Sequence, residues 1–237
     1  MTTKAETSPS GGTGARPPGR SGRRPWWTVL TLVEVAAATV AVVADWFIPS
    51  LVLVVMAGVS LVVRRQRPSS LGFHRPAHPW RLAGRMLAFA AGWTLLNVAL
   101  LIPVTNHLSG QRQDVSAFAH LEGDLGLLAA YLVLSWVVAA LAEETAFRGY
   151  LLTRLRDLLG GGRAAVVAAV VLSSALFGLL HTEQGVVGVV ASALGGVVFA
   201  LLRLWTGTLW APVLAHGFDD TIGFVWFYLF GPFYGLW

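Results

Sequence analysis

The sequence predicts an all-α, polytopic bundle of about seven transmembrane helices. Three observations lead there. Of 237 residues, 55% are hydrophobic and only 12% are Asp, Glu, Lys or Arg, about half the charged fraction of an average soluble domain. Apolar runs close to 20 residues recur along the chain, the length that crosses a bilayer core. The basic residues flank these runs and do not interleave with exposed aromatics. The net charge of +5 is therefore a topology signal and not a nucleic-acid surface. A lipid bilayer is the expected partner and nucleic acid is not. Cysteine is absent, which removes disulfides, a thiolate nucleophile and any Cys-based metal site.

Residues 1–25 are rich in Gly, Pro, Ser and Thr and carry Lys4, Arg16, Arg20, Arg23 and Arg24. Such a stretch cannot bury a core and is expected to be a disordered, basic cytoplasmic tail. Attraction to anionic lipid suits it as well. Arg23-Arg24 makes a poor twin-arginine leader, because Trp26–Ala44 is longer than a typical signal core. Residues 26–237 are expected to form one transmembrane domain.

Trp26–Phe47 is the first predicted helix, with Glu34 facing a partner helix. Ile48-Pro49-Ser50 makes a tight turn. Leu51–Val63 is a short second span, closed by Arg64, Arg65 and Arg67. Residues 64–85 form a basic loop, and Met86–Val104 is the third helix. Its Asn97 is expected to hydrogen-bond across helices. Residues 105–124 are polar and acidic, and Leu125 opens the fourth helix. Leu151, Leu152, Leu155, Leu158 and Leu159 recur at helical spacing among charges, so the stretch near 148–159 reads as an amphipathic helix. Gly160-Gly161-Gly162 ends it. Ala164–Leu180, Val186–Leu202 and Leu209–Phe230 complete the set. The last is followed by an aromatic terminus that includes Phe233, Tyr234 and Trp237 and suits the membrane interface.

With the N-terminus inside and one crossing per helix, 16 of the 17 Lys and Arg residues fall on the cytoplasmic side; only Arg112 falls outside. So lopsided a distribution rarely arises by accident. The expectation is an integral membrane protein of a prokaryotic plasma membrane, with the N-terminus cytoplasmic and the C-terminus outside. Six or eight crossings are the alternatives.

Charged residues at membrane depth are costly and point to function by default. Glu143 and Glu144 follow a charge-free run from Leu125 to Leu141. Neighbours on a helix point about 100° apart, so the two cannot share a face. Arg148 is four residues from Glu144, which is ion-pair spacing. Glu144 is thus the compensated residue, and Glu143 is left facing a cavity as a general base toward water. The bland alternative is that all three only tie helices together.

His181 closes the fifth helix on the face of Phe177. The glycine triplet lies midway between Glu144 and His181, so the two are level if the fourth helix runs unbroken to Gly160. That helix would hold 36 residues, about 54 Å against a core of ~30 Å. It either projects or bends after Arg148. His216 and Asp220 share one face of the seventh helix, with Asp219 one step away. They read either as a second polar wall or as a helix tie.

There is no His-Glu-x-x-His and no Gly-x-Ser-x-Gly. The two glutamates and two histidines can bind a divalent metal such as zinc, and can equally activate water without one. No cofactor is required outright. A proton-coupled transporter is disfavoured, because the two halves show no internal repeat.

Glu-Glu-x-x-x-Arg at 143–148, Phe-x-x-x-His at 177–181 and His-x-x-x-Asp at 216–220 resemble the three motifs of the CPBP family. That family groups type II CAAX prenyl proteases with bacteriocin-processing and Abi proteins. The likeness covers about 125–220, and Ser70-Leu71-Gly72-Phe73 is similar to a family lead-in. The resemblance implies an intramembrane endopeptidase with a cytoplasm-facing cavity and a catalytic core at about 125–230. Its substrate would be a peptide or membrane-protein tail. Carried over, Glu143 would activate water with His181 helping to hold it. His216 and Asp220 would stabilise the oxyanion, and Glu144, Arg148 and Phe177 would support them. The family position at 220 is often Asn, and an ionised Asp there would repel an oxyanion. A non-catalytic immunity or adaptor protein of the same fold is the alternative.

Overall fold

The computed structural model describes residues 25–235. Residues 1–24 of the expected tail, and Trp237 of the aromatic terminus, lie outside the described residues. Seven main helices make up most of the described chain, joined by turns and by two longer connections at 64–78 and 110–124. They are α1 (Pro25–Val43), α2 (Pro49–Val63), α3 (Pro79–Ser109), α4 (Leu125–Leu158), α5 (Arg163–Leu179), α6 (Gly185–Thr206) and α7 (Trp210–Phe230). Their boundaries follow local chemistry. Proline opens α2 and α3, where its missing N–H is no loss. The Asp124 side chain accepts from the Leu127 N–H and caps α4. Gly110 and Gly207, both left-handed, end α3 and α6.

Four segments are long and apolar enough to cross a membrane: α1, α3, α4, and Thr182–Thr206, which contains α6. The helices α2 and α5 are apolar but shorter, at 15 and 17 residues. The helix α7 has the length but carries His216, Asp219 and Asp220.

Of the two courses open to the fourth helix at Arg148, the chain takes the continuous one. The helix α4 runs on through Arg148 as one element of 34 residues, up to about 51 Å at α-helical rise. Two stretches of widened, π-type turns, Ser135–Glu143 and Thr145–Leu151, lie within it. The leucine-rich run is the last part of this helix. Leu152 and Leu155 are buried, and so is Arg154. Arg154 Nη2 donates to Ser60 Oγ at 2.8 Å and to Gln66 Oε1 at 3.0 Å.

Small residues set the closest helix approaches. A Cβ on Gly178 would come 2.7 Å from the Val189 carbonyl oxygen, and one on Gly196 would come 2.9 Å from Ser174 Cβ, so α5 and α6 touch nearly backbone to backbone. Glu34 bridges α1 to its neighbours, accepting from Arg64 Nη2 at 2.5 Å with Arg154 Nε 3.6 Å away. Asn97 behaves differently from the expectation. Its amide donates to Trp93 O of its own helix at 3.2 Å, because the space in front of it is a cavity and not a partner side chain.

The two ends of the bundle differ in charge. At one end Leu209 N–H donates to Gly72 O at 2.8 Å, and Thr208 Oγ1 to His74 O at 2.7 Å. Arg64, Arg65, Arg67, Arg75, Arg156, Arg163 and Arg203 cluster in the segments around this end. At the other end Gly123 N–H donates to Tyr228 O at 3.0 Å, and Asp114 N–H to Gln184 O at 3.1 Å. That end holds Arg112 among Asp114, Glu122, Asp124 and Glu183.

Candidate active site

The polar centre begins on α4, between its two widened stretches. Glu144 is fully buried. Its Oε1 accepts from Arg148 Nη1 at 3.0 Å, as the spacing of four implies. The same oxygen lies 2.9 Å from His216 Nδ1, a contact across 72 residues of sequence. Arg148 is also stacked: its guanidinium is 4.0 Å from the Phe177 ring centroid and 5.6 Å from that of Phe199. Burying a carboxylate and a guanidinium costs several kcal/mol each, offset only by such close and multiple partners.

The helix α7 is held against α4 by a glycine. A Cβ on Gly217 would come 2.6 Å from the Trp136 ring, so only glycine allows this approach. Trp136 Nε1 then donates to Thr221 Oγ1 at 3.2 Å. One residue before Gly217, His216 meets Glu144. Because a carboxylate accepts, Nδ1 carries the proton of this bond and Nε2 is turned the other way. Nε2 is 3.7 Å from Asp220 Oδ1, and the ring stacks on Phe199 at 5.1 Å. Asp220 Oδ2 accepts from Ser135 Oγ at 2.7 Å. Asp219 turns elsewhere and accepts from Thr94 Oγ1 of α3.

His181 follows the end of α5. Its Nδ1 is 3.1 Å from Phe177 O, and its ring meets the Phe177 ring edge-on at 5.1 Å. Since a carbonyl only accepts, Nδ1 is the donor, and in the neutral ring Nε2 is free to accept. A cavity of about 270 Å³ is lined by Phe177, His181, Phe199, His216, Asp219 and Asp220, among others.

Glu143 departs from the expectation. It does not line this cavity. Its Oε2 is buried without a hydrogen-bond partner. The carboxylate interacts electrostatically with His216, Asp220, Glu144 and Arg148. The first widened stretch, Ser135–Glu143, ends at this residue. Of the predicted residues, Glu144, Arg148, Phe177, His216 and Asp220 are joined by direct contacts. His181 joins through Phe177, and Glu143 only through the field of its neighbours. Among the described residues no group of three or more His, Asp or Glu side chains converges as a metal site.

Sequence reasoning missed Ser135, Phe199 and Trp136. Ser135 carried a signal, as a lone hydroxyl in an apolar run. Phe199 carried none, because it is one of many aromatics.

This arrangement coincides with a family match. The profile described as type II CAAX prenyl endopeptidase Rce1-like covers residues 125–222, from the first residue of α4 past Asp220. Residues 125–222 belong to the CAAX protease (CPBP) family. No curated protein and no solved structure matches the chain. The CAAX protease segment contains all three motifs and every contact around Glu144. Together with the apolar helices, the match supports an integral membrane protein.

Proposed function

We propose that the protein is an intramembrane endopeptidase that hydrolyses peptide bonds in membrane-associated peptides or protein tails, with Glu143 as the base. One observation carries this reading. A buried carboxylate oxygen without a partner, Glu143 Oε2, neighbours an imidazole whose orientation is fixed by the Glu144–Arg148 pair. In the proposed reaction Glu143 takes a proton from water as its oxygen adds to the substrate carbonyl carbon. His181 Nε2 helps to hold that water. The oxyanion accepts from the Nε2–H of a doubly protonated His216, whose Nδ1–H stays on Glu144. Asp220, bonded to Ser135, orients His216. Glu143 then returns the proton to the leaving nitrogen as the C–N bond breaks, which regenerates the carboxylate.

The cavity lining and the charge distribution support one side of entry. The cavity wall includes Gln113, Phe118 and Gln184 from the acidic end and no residue of 64–78, 159–163 or 206–209. With the arginine-rich end and the N-terminus in the cytoplasm, the peptide enters from the outer face. This differs from the cytoplasm-facing cavity that the family resemblance implies.

A second reading, a non-catalytic adaptor, draws support from Ser135–Asp220 and Thr94–Asp219, which join helices whether or not chemistry takes place there. Cleavage of a peptide library by detergent-purified protein separates the two. The Glu143→Gln protein is expected to stay folded and lose cleavage by roughly 10²–10⁴-fold, the usual weight of a positioned base. Undiminished cleavage in that variant removes Glu143 from the mechanism; absence of cleavage by the wild type favours the adaptor. A chelator arm, expected to change nothing, tests the side-chain-only route.

A further inference from the structure

Behind the glutamate pair, on the arginine-rich side, lies a second cavity of about 60 Å³. Ser70, Arg148, Thr153, Arg156 and Arg203 supply its polar lining, and no carboxylate borders it. Arg148 reaches Glu144 through Nη1, while its Nη2 is buried with no acceptor. Arg203 Nε is likewise buried with no acceptor, and its Nη2 makes only a long 3.4 Å contact to Leu71 O. Gly72 allows this placement, since any Cβ there would collide with the Arg203 guanidinium. Arg156 is near enough for its charge to oppose that of Arg203. The two hydroxyls are already used, Ser70 Oγ donating to Arg67 O and Thr153 Oγ1 to Gly149 O.

Like charges gathered around a space, with buried N–H groups that lack acceptors, are unfavourable when left that way. An oxyanion relieves both at once, through charge-assisted bonds to the planar forks of arginine. We infer that this pocket binds a phosphate-type oxyanion, carried by a lipid headgroup or free in solution. Its volume corresponds to about four water-sized spheres, which suits the oxygens of one phosphate group. It lies at the end where anionic lipid of the inner leaflet is expected. The inference does not depend on the protease reading, and its test does not use cleavage.

The test is thermal unfolding of the purified full chain against sodium phosphate, with ionic strength held constant by chloride. The wild type should show a saturable rise of roughly 3 °C at ten times the dissociation constant. Arg203→Gln and the exposed Arg156→Gln should lose that rise, and Arg75→Gln, at the same end but outside the pocket, should keep it. A second arm compares nanodiscs of phosphatidylglycerol with nanodiscs of phosphatidylcholine. A rise specific to phosphatidylglycerol that blunts the effect of free phosphate assigns the site to a lipid headgroup. A phosphate response equal in both assigns it to the free ion. If neither phosphate nor phosphatidylglycerol stabilises the wild type more than Arg156→Gln, or if Arg75→Gln loses the response equally, the inference is overturned. Arg156→Gln keeps the test decisive if Arg203→Gln does not fold.

Discussion

Adjacent glutamates on α4 have opposite fates, and the difference can be measured. Glu144 is tied to Arg148 and His216, whereas Glu143 has an oxygen with no partner. Replacing Glu144 with Gln leaves Arg148 buried without its counter-charge. Broken buried pairs cost about 3–5 kcal/mol, so the Glu144→Gln unfolding temperature should fall by many degrees while that of Glu143→Gln barely moves. Equal falls in both would mean that Glu143 is structural too. Asp220 is the residue that departs from the common family pattern. Asn at 220 keeps an acceptor for Ser135 Oγ and removes the charge near His216. Asp220→Asn should therefore retain cleavage within roughly tenfold, whereas Asp220→Ala, which leaves Ser135 unpaired in a buried place at about 1–3 kcal/mol, should lose stability and turnover together. The Glu144–Arg148 pair was legible from spacing alone. The bond from Glu144 to His216 was not, because no local pattern says which helix faces which.

The decisive element is α4, and its widened turns were hidden from the sequence. Periodicity shows an apolar run from Leu125 to Leu141, but π-type turns have no residue signature of their own. They set the rotation of Glu143 and Glu144 relative to α7. Deleting Ala139, within the first widened stretch, should tighten those turns and displace Glu143 and Glu144 from their placement against α7. Cleavage should vanish with helix content unchanged by circular dichroism; retained cleavage would make the widening incidental. The number of main helices was legible, because apolar runs are dictated by bilayer thickness, but the lengths were not: α3 runs from Pro79 to Ser109, beyond the apolar run Met86–Val104 at both ends. The continuation of α4 past Arg148 was not legible either. The charges of Arg154, Arg156 and Asp157 read as an interfacial face, yet Arg154 is buried against Ser60 and Gln66. At the α5–α6 contact, Gly178→Ala places a methyl against the Val189 carbonyl, a backbone group that cannot swing aside. A loss of about 1–3 kcal/mol is expected for such overpacking, read as a lower unfolding temperature at unchanged oligomeric state.

On the scale of the whole molecule, the two ends are chemically distinct, and the absence of cysteine gives direct access to their orientation. Single cysteines at Glu183 and Ser69, one at each end, can be probed in intact cells with a membrane-impermeant maleimide. Glu183→Cys should react before permeabilisation and Ser69→Cys only after it. Ser192→Cys, on the cavity wall, should react from the same side as Glu183→Cys. The reverse pattern would place the cavity mouth in the cytoplasm and return the protein to the geometry that the family resemblance implies. This outcome is independent of catalysis, since it reads only which compartment reaches each end.

Arg148 belongs to two compartments at once. One arm of its guanidinium holds Glu144, and the residue also forms the wall of the small arginine-lined pocket. A charge arriving in that pocket competes for the same cation that steadies Glu144, and through Glu144 it reaches the imidazole of His216. If the protein cleaves peptides as proposed, turnover would then vary with the phospholipid mixture around the arginine-lined pocket, making the protein a reporter of membrane composition through a single side chain.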